Sequence, residues 1–315
     1  MAHAKESAMI FRTMLHRIAG ILGCLLLVTG MLLHLTVRDG HKWIATLFYA
    51  MPLPLILVGW LIAAAWHFRQ RTFLIASLCM AFLTACWWQA TSYRKETQVR
   101  SASPKPSGLK VLYWNMAHQK LPSTDLEQLI ATHQPDIVGL GEVGLRSGDS
   151  NPLVRHLPPG YIALKPEHGM GLVVRGNAQV QQITRIKKTR SKFLQMDVTV
   201  DAKVWHIILV DGDADPFLRR EELLGKVLAK TQASHTLVMG DFNTPLESQW
   251  FDPWRTAGLH HATEGARTGF RETWPRHWPV LTIDHLWCTP ETQPVLFERV
   301  SLPSSDHLAI VASLR

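Results

Sequence analysis

The sequence predicts an α/β protein in two parts: three membrane-spanning helices, then a soluble domain of mixed β-sheets packed face to face with helices outside. Three observations predict this. The first hundred residues contain three apolar runs without a charge, Ile18–Val37, Trp43–Trp66 and Phe73–Ala90, and about 20 apolar residues suffice to cross the hydrocarbon core. The charge is divided to match: residues 1–100 hold ten Lys/Arg against three Asp/Glu, whereas residues 101–315 hold 23 against 22. Beyond Leu109, short strand patterns follow one another without an intervening helix, which argues against a simple parallel βαβ array and for mixed sheets in layers.

Taken in order, the apolar runs fall at about 18–37, 43–66 and 73–90 within a membrane domain 1–92. Met51-Pro-Leu-Pro54 should bend or break the second run, because proline lacks the amide that a helix interior needs. Trp43, Trp60, Trp66, Trp87 and Trp88 lie mostly near run ends, where amphipathic rings prefer the interface. With the N-terminus inside, five Lys/Arg flank the cytoplasmic side and six the other, so the positive-inside rule selects neither orientation. Cys24, Cys79 and Cys86 lie in the apolar runs. Cys288 is alone in the soluble part and has no internal partner, which leaves the redox compartment open.

The polar, Pro/Ser-rich stretch 93–108 reads as a linker, and 109–315 as the soluble domain. LKVLYWN is a strand. Thr124-x-x-Glu127 has the form of a capping box opening a helix over 125–133. DIVGLGEV, YIALK, MGLVVR, VQQITRI, FLQMDVTV and VWHIILV follow as strands. A helix over 217–230 is expected, with Asp215 as its cap and Pro216 at its first position. TLVMG, IDHLW and HLAIVASL complete the strands. The near-neutral charge of this domain weakens a nucleic-acid reading, since binding to a phosphate backbone generally needs several Lys/Arg contacts. The run Arg185-Ile-Lys187-Lys188-Thr-Arg190 is the local exception, and it also fits a solvated hairpin face.

Five strand ends carry unusual polar groups: Asn115, Glu142, Asp241 with Asn243, Asp284, and Asp306 with His307. A carboxylate or carboxamide at one such place is usually a turn-former. Five in one domain suggest groups placed on a rigid scaffold. In GDFN, period-two spacing can send Asp241 and Asn243 toward one site and turn Phe242 back to the core.

YWN, GLGEV, GDFN, IDH and SDH occur in the order and approximate spacing of the endonuclease/exonuclease/phosphatase superfamily, the DNase I-like fold, which the chain resembles from about Leu109 to Arg315. Three helices ahead of such a domain resemble the membrane phosphatases linked to teicoplanin resistance. The resemblance implies a four-layer α/β sandwich and Mg²⁺-dependent phosphoester hydrolysis, with Mn²⁺ as an alternative ion. Glu142 is then the natural ligand of a hard cation that takes one or two carboxylates, and Asp306 the second, directly or through water. Asp241 would orient and deprotonate the attacking water. Asn115 and Asn243 would hold a phosphate oxygen or the aspartate without repelling it. His307 would stabilise the phosphorane or protonate the leaving oxygen, with Asp284 favouring its charged form.

The match has two gaps. The family usually places a histidine where the strand before GDFN ends; here that position falls near Asp211, with His168 as another stand-in and His206 too far along its strand. The arginine of the family's R-I-D pattern is replaced in Leu281-Thr282-Ile283-Asp284. His118, His133, His156, His235, His260, His261 and His277 read as solvated loop or helix-end residues. The functional expectation is a multi-pass enzyme of the bacterial plasma membrane with an extracytoplasmic catalytic domain. Its partners would be the bilayer and a phosphorylated, lipid-linked substrate, a phosphate or pyrophosphate. The alternatives are a membrane-tethered nuclease and a non-catalytic scaffold that retains the fold.

Overall fold

The computed structural model describes residues 2–95, 108–119, 123–144 and 157–315. The chain divides into two compact units, Met1–Thr91 and Ser92–Arg315.

The first unit is helical, with α1 (Ala2–Leu35), α2 (Lys42–Ala50), α3 (Leu53–Trp66) and α4 (Arg71–Ser92). Two stretches are long and apolar enough to cross a membrane, Met14–Leu35 and Arg71–Ser92. The middle run is not one helix: α2 and α3 meet at 68° and make a third span only if the bent pair is taken as one. Of the three expected spans, two are unbroken helices and the middle one is a bent pair, broken at Met51-Pro-Leu-Pro54 where a bend or break was expected. The cause is local. Pro52 caps α3 and Pro54 lies in its first turn, and proline cannot continue the hydrogen bonding of a helix entered from α2. The Met51 carbonyl at the break accepts a hydrogen bond from His34 Nε2 at 2.8 Å.

The second unit holds two six-stranded mixed sheets. β1 (Leu109–Asn115), β2 (Ile137–Gly141), β3 (Ile162–Glu167) and β4 (Met170–Val174) join β11 (Pro294–Val300) and β12 (Ala309–Leu314) in the order β11-β12-β1-β2-β4-β3. β5 (Asn177–Arg185), β6 (Lys192–Val200), β7 (Lys203–Asp211), β8 (Thr236–Asp241), β9 (His260–His261) and β10 (Asp284–Cys288) run β5-β6-β7-β8-β10-β9. Each sheet has one parallel pair, β1 with β2 and β7 with β8. The inner faces share one core, in which Tyr113, Ile137, Met170 and Ile310 of the first sheet join Leu209, Met239 and Leu286 of the second. Successive strand residues face opposite ways, so each sheet has a second apolar face to cover. α5 (Thr124–His133) brings Leu126, Leu129 and Ile130 onto Leu112, Trp114 and Val138. α6 (Glu221–Leu228) and α7 (Asp252–Thr256) bring Leu223, Leu224, Val227 and Trp254 onto Ile208, Val238 and Trp287.

Two local expectations change. Ser123, not Thr124, caps α5, its side chain accepting from the Leu126 amide at 3.4 Å. Asp215 does not cap the next helix. Its carboxylate closes a turn on the Phe217 amide at 2.9 Å, and α6 begins four residues beyond the expected start, at Glu221. The short-range side-chain bond competes with helix and wins over the first turn.

Candidate active site

The strand ends of both sheets converge. Parallel pairing sets Asn115 opposite Gly141 and Asp211 opposite Asp241, while antiparallel pairing sets Asp284 opposite Asp241. Asn115, Asp241, Asp284 and His307 are all buried. Gly240, with φ +156°, lets this happen: a Cβ there would stand 2.1 Å from the Val210 carbonyl oxygen. Phe242 turns back into the core beneath α6 and α7.

Asp241 is held from both sheets. Asn115 Nδ2 donates to its Oδ2 at 2.9 Å, the Asn243 amide donates to Oδ1 at 2.8 Å, and Asn243 Nδ2 reaches Oδ2 at 3.3 Å. Asn243 takes a left-handed conformation, φ 46°, which asparagine tolerates better than most residues. Asn115 is oriented in turn, its Oδ1 accepting from the Ala117 amide at 2.9 Å. Ser305, which the sequence reading missed, donates from its hydroxyl to the Asn115 carbonyl at 2.7 Å and accepts from the His307 amide at 3.0 Å.

His307 and Asp284 form a dyad. His307 Nδ1 donates to the Asp284 carboxylate at 3.0 and 3.1 Å. Its Nε2 faces a gap, 3.9 Å from Asp241 Oδ2 and 4.0 Å from Asp306 Oδ1. Burial opposes the charge on His307, but the charge and hydrogen bond of Asp284, with Asp241 and Asp306, outweigh it and raise its pKa to about 10. Burial, then the neighbouring Asp284, pushes Asp241 up to about 8 against the opposing pull of His307.

Glu142 follows β2 in a left-handed conformation, φ 46°, which costs a residue other than glycine roughly 1–2 kcal/mol. Its Oε2 lies 3.4 Å from Nε2 of the exposed His118, and its charge bears on both Asp241 and Asp211. Asp306 is more than half exposed, and its Oδ2 accepts from Trp274 Nε1 at 3.0 Å. Asp211 pairs with Lys192 across β6 and β7, so an ion pair occupies the place where a histidine was expected. Burial raises the Asp211 pKa, and Lys192 opposes that rise. His168 lies on the β3–β4 turn and contacts Arg185 at 3.1 Å. His206 is bonded to Asp197 at 2.6 Å. His156 lies outside the described residues.

Among the described residues, one group of three could place ligand atoms within 4.8 Å of one another: Asp241, Asp284 and His307. The dyad commits His307 Nδ1 and both Asp284 oxygens to each other, which leaves this trio better arranged for proton handling. The wider donor set still suits a hard divalent cation. Glu142, Asp241 and Asp306 offer oxygen atoms, and after burial the largest cause of the raised Asp241 pKa is the Asp284 carboxylate, a repulsion that a cation would relieve.

Sequence reasoning also missed Lys192, Trp274 and a buried histidine pair. His261, expected in solvent, is buried, and its Nε2 lies 3.1 Å from Nδ1 of the buried His285. The correction has a physical cause: the two-residue β9 sets His261 opposite Trp287 on β10. A two-residue strand leaves no periodic signal in a sequence.

A family model described as the Endonuclease/Exonuclease/phosphatase family matches residues 112–307. Among solved structures, a variant of the 3′ phosphatase NExo from Neisseria bound to product DNA hairpin is 17% identical, with a TM-score of 0.52, over 66% of this chain and 99% of that one. D. rerio TDP2 complexed with single strand DNA product is 18% identical, with a TM-score of 0.50, over 67% of this chain and 100% of that one. At such identities the likeness is one of fold. No curated protein matches the chain. Members of the matched family are generally hydrolases of phosphoester bonds that use divalent metal ions. By the family match over 112–307 and the shared two-sheet fold, the chain belongs to the endonuclease/exonuclease/phosphatase family.

Proposed function

We propose that this chain is a membrane-anchored, divalent-cation-dependent phosphoester hydrolase acting on a lipid-linked phosphate or pyrophosphate. The observation that carries the chemistry is the buried pairing of Asp241, clamped by Asn115 and Asn243, with the Asp284–His307 dyad whose Nε2 faces it across 3.9 Å. Asp241 is the base: its oxygens point where a water can be oriented, and its donors fix the lone pairs. His307, kept charged by Asp284, presents an N–H at Nε2 for the phosphoryl or leaving-group oxygen. Asn115 and Asn243 contribute N–H groups without repelling a phosphate. Glu142, with Asp306, would hold Mg²⁺ or Mn²⁺. Such an ion, when bound, supplies charge compensation to the phosphoryl oxygens.

The lipid-linked substrate is argued from the anchor. Two apolar stretches able to span a bilayer precede the domain, and tethering concentrates a site near headgroups. The 109–315 domain is placed outside the cytoplasm in this proposal, and a reporter fused after Arg315 tests that placement. A nuclease is the second reading. Arg185, Lys187, Lys188, Arg190 and Lys192 crowd the β5–β6 hairpin, whose turn is at the Asp211–Asp241 end of the sheet. The detergent-solubilised chain, offered polyprenyl pyrophosphate, simple phosphomonoesters and plasmid DNA with Mg²⁺ or EDTA, separates the readings. Phosphate release lost both in EDTA and in Asp241→Ala supports the phosphatase. Nicked plasmid without phosphate release replaces it with the nuclease. Inactivity on every substrate, with no Mg²⁺ binding, leaves the scaffold.

A further inference from the structure

Behind the site, on the face of the second sheet away from the inter-sheet core, lie two buried histidines that the proposed chemistry does not use. His285 follows Asp284 on β10 and is set opposite Gly240. It packs edge-on against Phe242 and Phe251, with ring centroids 5.1 and 4.9 Å apart. Its Nε2 lies 2.8 Å from the carbonyl oxygen of Thr244, the residue after Asn243. Its Nδ1 lies 3.1 Å from His261 Nε2. His261 Nδ1 in turn lies 2.7 Å from the Thr263 hydroxyl and 3.3 Å from the Thr263 amide.

These contacts fix every proton. A carbonyl only accepts, so His285 must carry its hydrogen on Nε2. In a neutral ring Nδ1 is then an acceptor, so His261 must also carry its hydrogen on Nε2. His261 Nδ1 is left to accept from Thr263, whose backbone amide can only donate. The chain runs one way: Thr263 to His261 to His285 to Thr244 O. Adding a proton to either ring would set two donors against each other. Burial disfavours it as well, pushing His261 well below its ordinary range and His285 to about 4.

We propose that the neutral His261–His285 pair is a positioning device for the Asp241–Thr244 turn, an inference that rests on Asp241 acting as the base. The turn is also stitched by the Phe242 amide to the Ile283 carbonyl at 3.0 Å and by the Leu246 amide to the Thr282 carbonyl at 3.1 Å. The Gly212 amide donates to the Asp241 carbonyl at 2.7 Å and Asn243 Nδ2 to the Gly212 carbonyl at 2.9 Å, and the Thr244 hydroxyl donates to the Phe242 carbonyl at 2.8 Å. None of these reaches the Thr244 carbonyl. His285 anchors the stretch between the Phe242 and Leu246 amides. Asn243 stands immediately before the anchored carbonyl, and its amide and side chain hold the Asp241 carboxylate. A shift at Thr244 is therefore passed to the base through one residue. Misplacement of a reacting group by about 1 Å can cost on the order of 100-fold in rate.

The test uses the full chain in detergent. In the wild type, ¹⁵N-histidine NMR at pH 7.5 should show both rings neutral with hydrogen on Nε2; a charged ring or the Nδ1–H form at either residue overturns the proposal without any variant. His285→Phe keeps the aromatic packing and removes both hydrogen bonds. His285→Gln can still donate to Thr244 O and accept from His261. His285→Phe should lower kcat about 10–100-fold with KM changed less than about threefold, and should speed amide exchange in 241–246. His285→Gln should recover most of kcat and of the protection. Equal loss in both variants, or slow exchange and full kcat in His285→Phe, overturns it. Should the wild type hydrolyse nothing, the functional reading fails alone, and the tautomers and exchange rates still decide whether the pair fixes the turn.

Discussion

Asp284→Asn tests the central electrostatic claim, because the substitution preserves shape and removes the charge that keeps His307 protonated, while also easing the repulsion on Asp241. The rise of His307 from 6.5 to about 10 corresponds to roughly 5 kcal/mol of preference for the imidazolium, at about 1.4 kcal/mol per unit. Burial works against that preference, and Asp284 supplies the two largest contributions in favour. Without them, Asp241 and Asp306 act on Nε2 from 3.9 and 4.0 Å against an unchanged burial. Burial then outweighs the remaining attraction, and His307 should lose its proton well below its wild-type range. The sign for stability follows from a raised folded pKa: the contribution of His307 is present in full below about 6.5 and is lost as pH rises through about 10. The assay is an NMR titration of labelled histidine in EDTA, paired with pH–rate profiles. At pH 8 the variant should lose about 10²–10⁴-fold in kcat, the usual range for general acid–base groups, and regain part of it near pH 6. An imidazole still charged at pH 8 in the variant, or kcat within about twofold of wild type there, would refute the reasoning.

Gly141→Ala puts a Cβ 2.2 Å from the hydroxyl of the fully buried Tyr113, just before Glu142. It should destabilise the chain by about 1–3 kcal/mol, the range for overpacking a core, and weaken Mg²⁺ binding measured by calorimetry. Tyr113→Phe in the same chain should restore part of both, and a double variant no better than Gly141→Ala would locate the fault elsewhere. His285 gives a pH signature. A folded pKa lowered to about 4 from 6.5 means that the unfolded chain takes the proton first, so stability is full above about 6.5 and falls as pH drops toward 4. The difference in unfolding free energy from urea titration between wild type and His285→Gln, in which the shared Asp241 and His307 contributions cancel, should shift against the wild type by roughly 3 kcal/mol across that window. A difference that does not change with pH would mean that His285 is charged or solvated.

Legibility tracked the length of the pattern. Strands such as LKVLYWN and FLQMDVTV carry enough apolar residues to be read, and they appear within a residue or two of where the sequence puts them. β9 has two residues and β11 lies at a sheet edge, and neither was legible. At the site, polar groups that end apolar strands stood out because burial there is unusual for their type. Asn115, Glu142, Asp241, Asn243, Asp284, Asp306 and His307 stood out this way, and the structure brings Asn115, Asp241, Asn243, Asp284 and His307 together. Ser305, Lys192, Trp274 and His261 escaped because their neighbours are set by tertiary pairing across 19 to 190 residues. No local pattern records such pairings. The absent histidine was legible as an absence, but Lys192 as the partner of Asp211 was not, since nothing in the sequence separates it from the other cations of its hairpin.

The cost of the site argues against a chain that merely keeps the fold. Asp241 and Asp284 are buried opposite each other in adjacent strands, and lifting Asp241 from 3.8 to about 8 corresponds to roughly 5–6 kcal/mol against its ionised form. Glu142 adds a left-handed backbone beside them. Apolar residues at buried ionic positions are often neutral or stabilising by about 1–4 kcal/mol, so folding alone supplies no reason for this arrangement. Structural ion pairing explains Asp211, which Lys192 matches. It does not explain Asp241, whose partners are two neutral amides and a histidine already engaged by Asp284. Groups held at such cost belong where a ligand or a reaction supplies the compensation, and under the proposed function a divalent cation with a phosphoryl group would supply it.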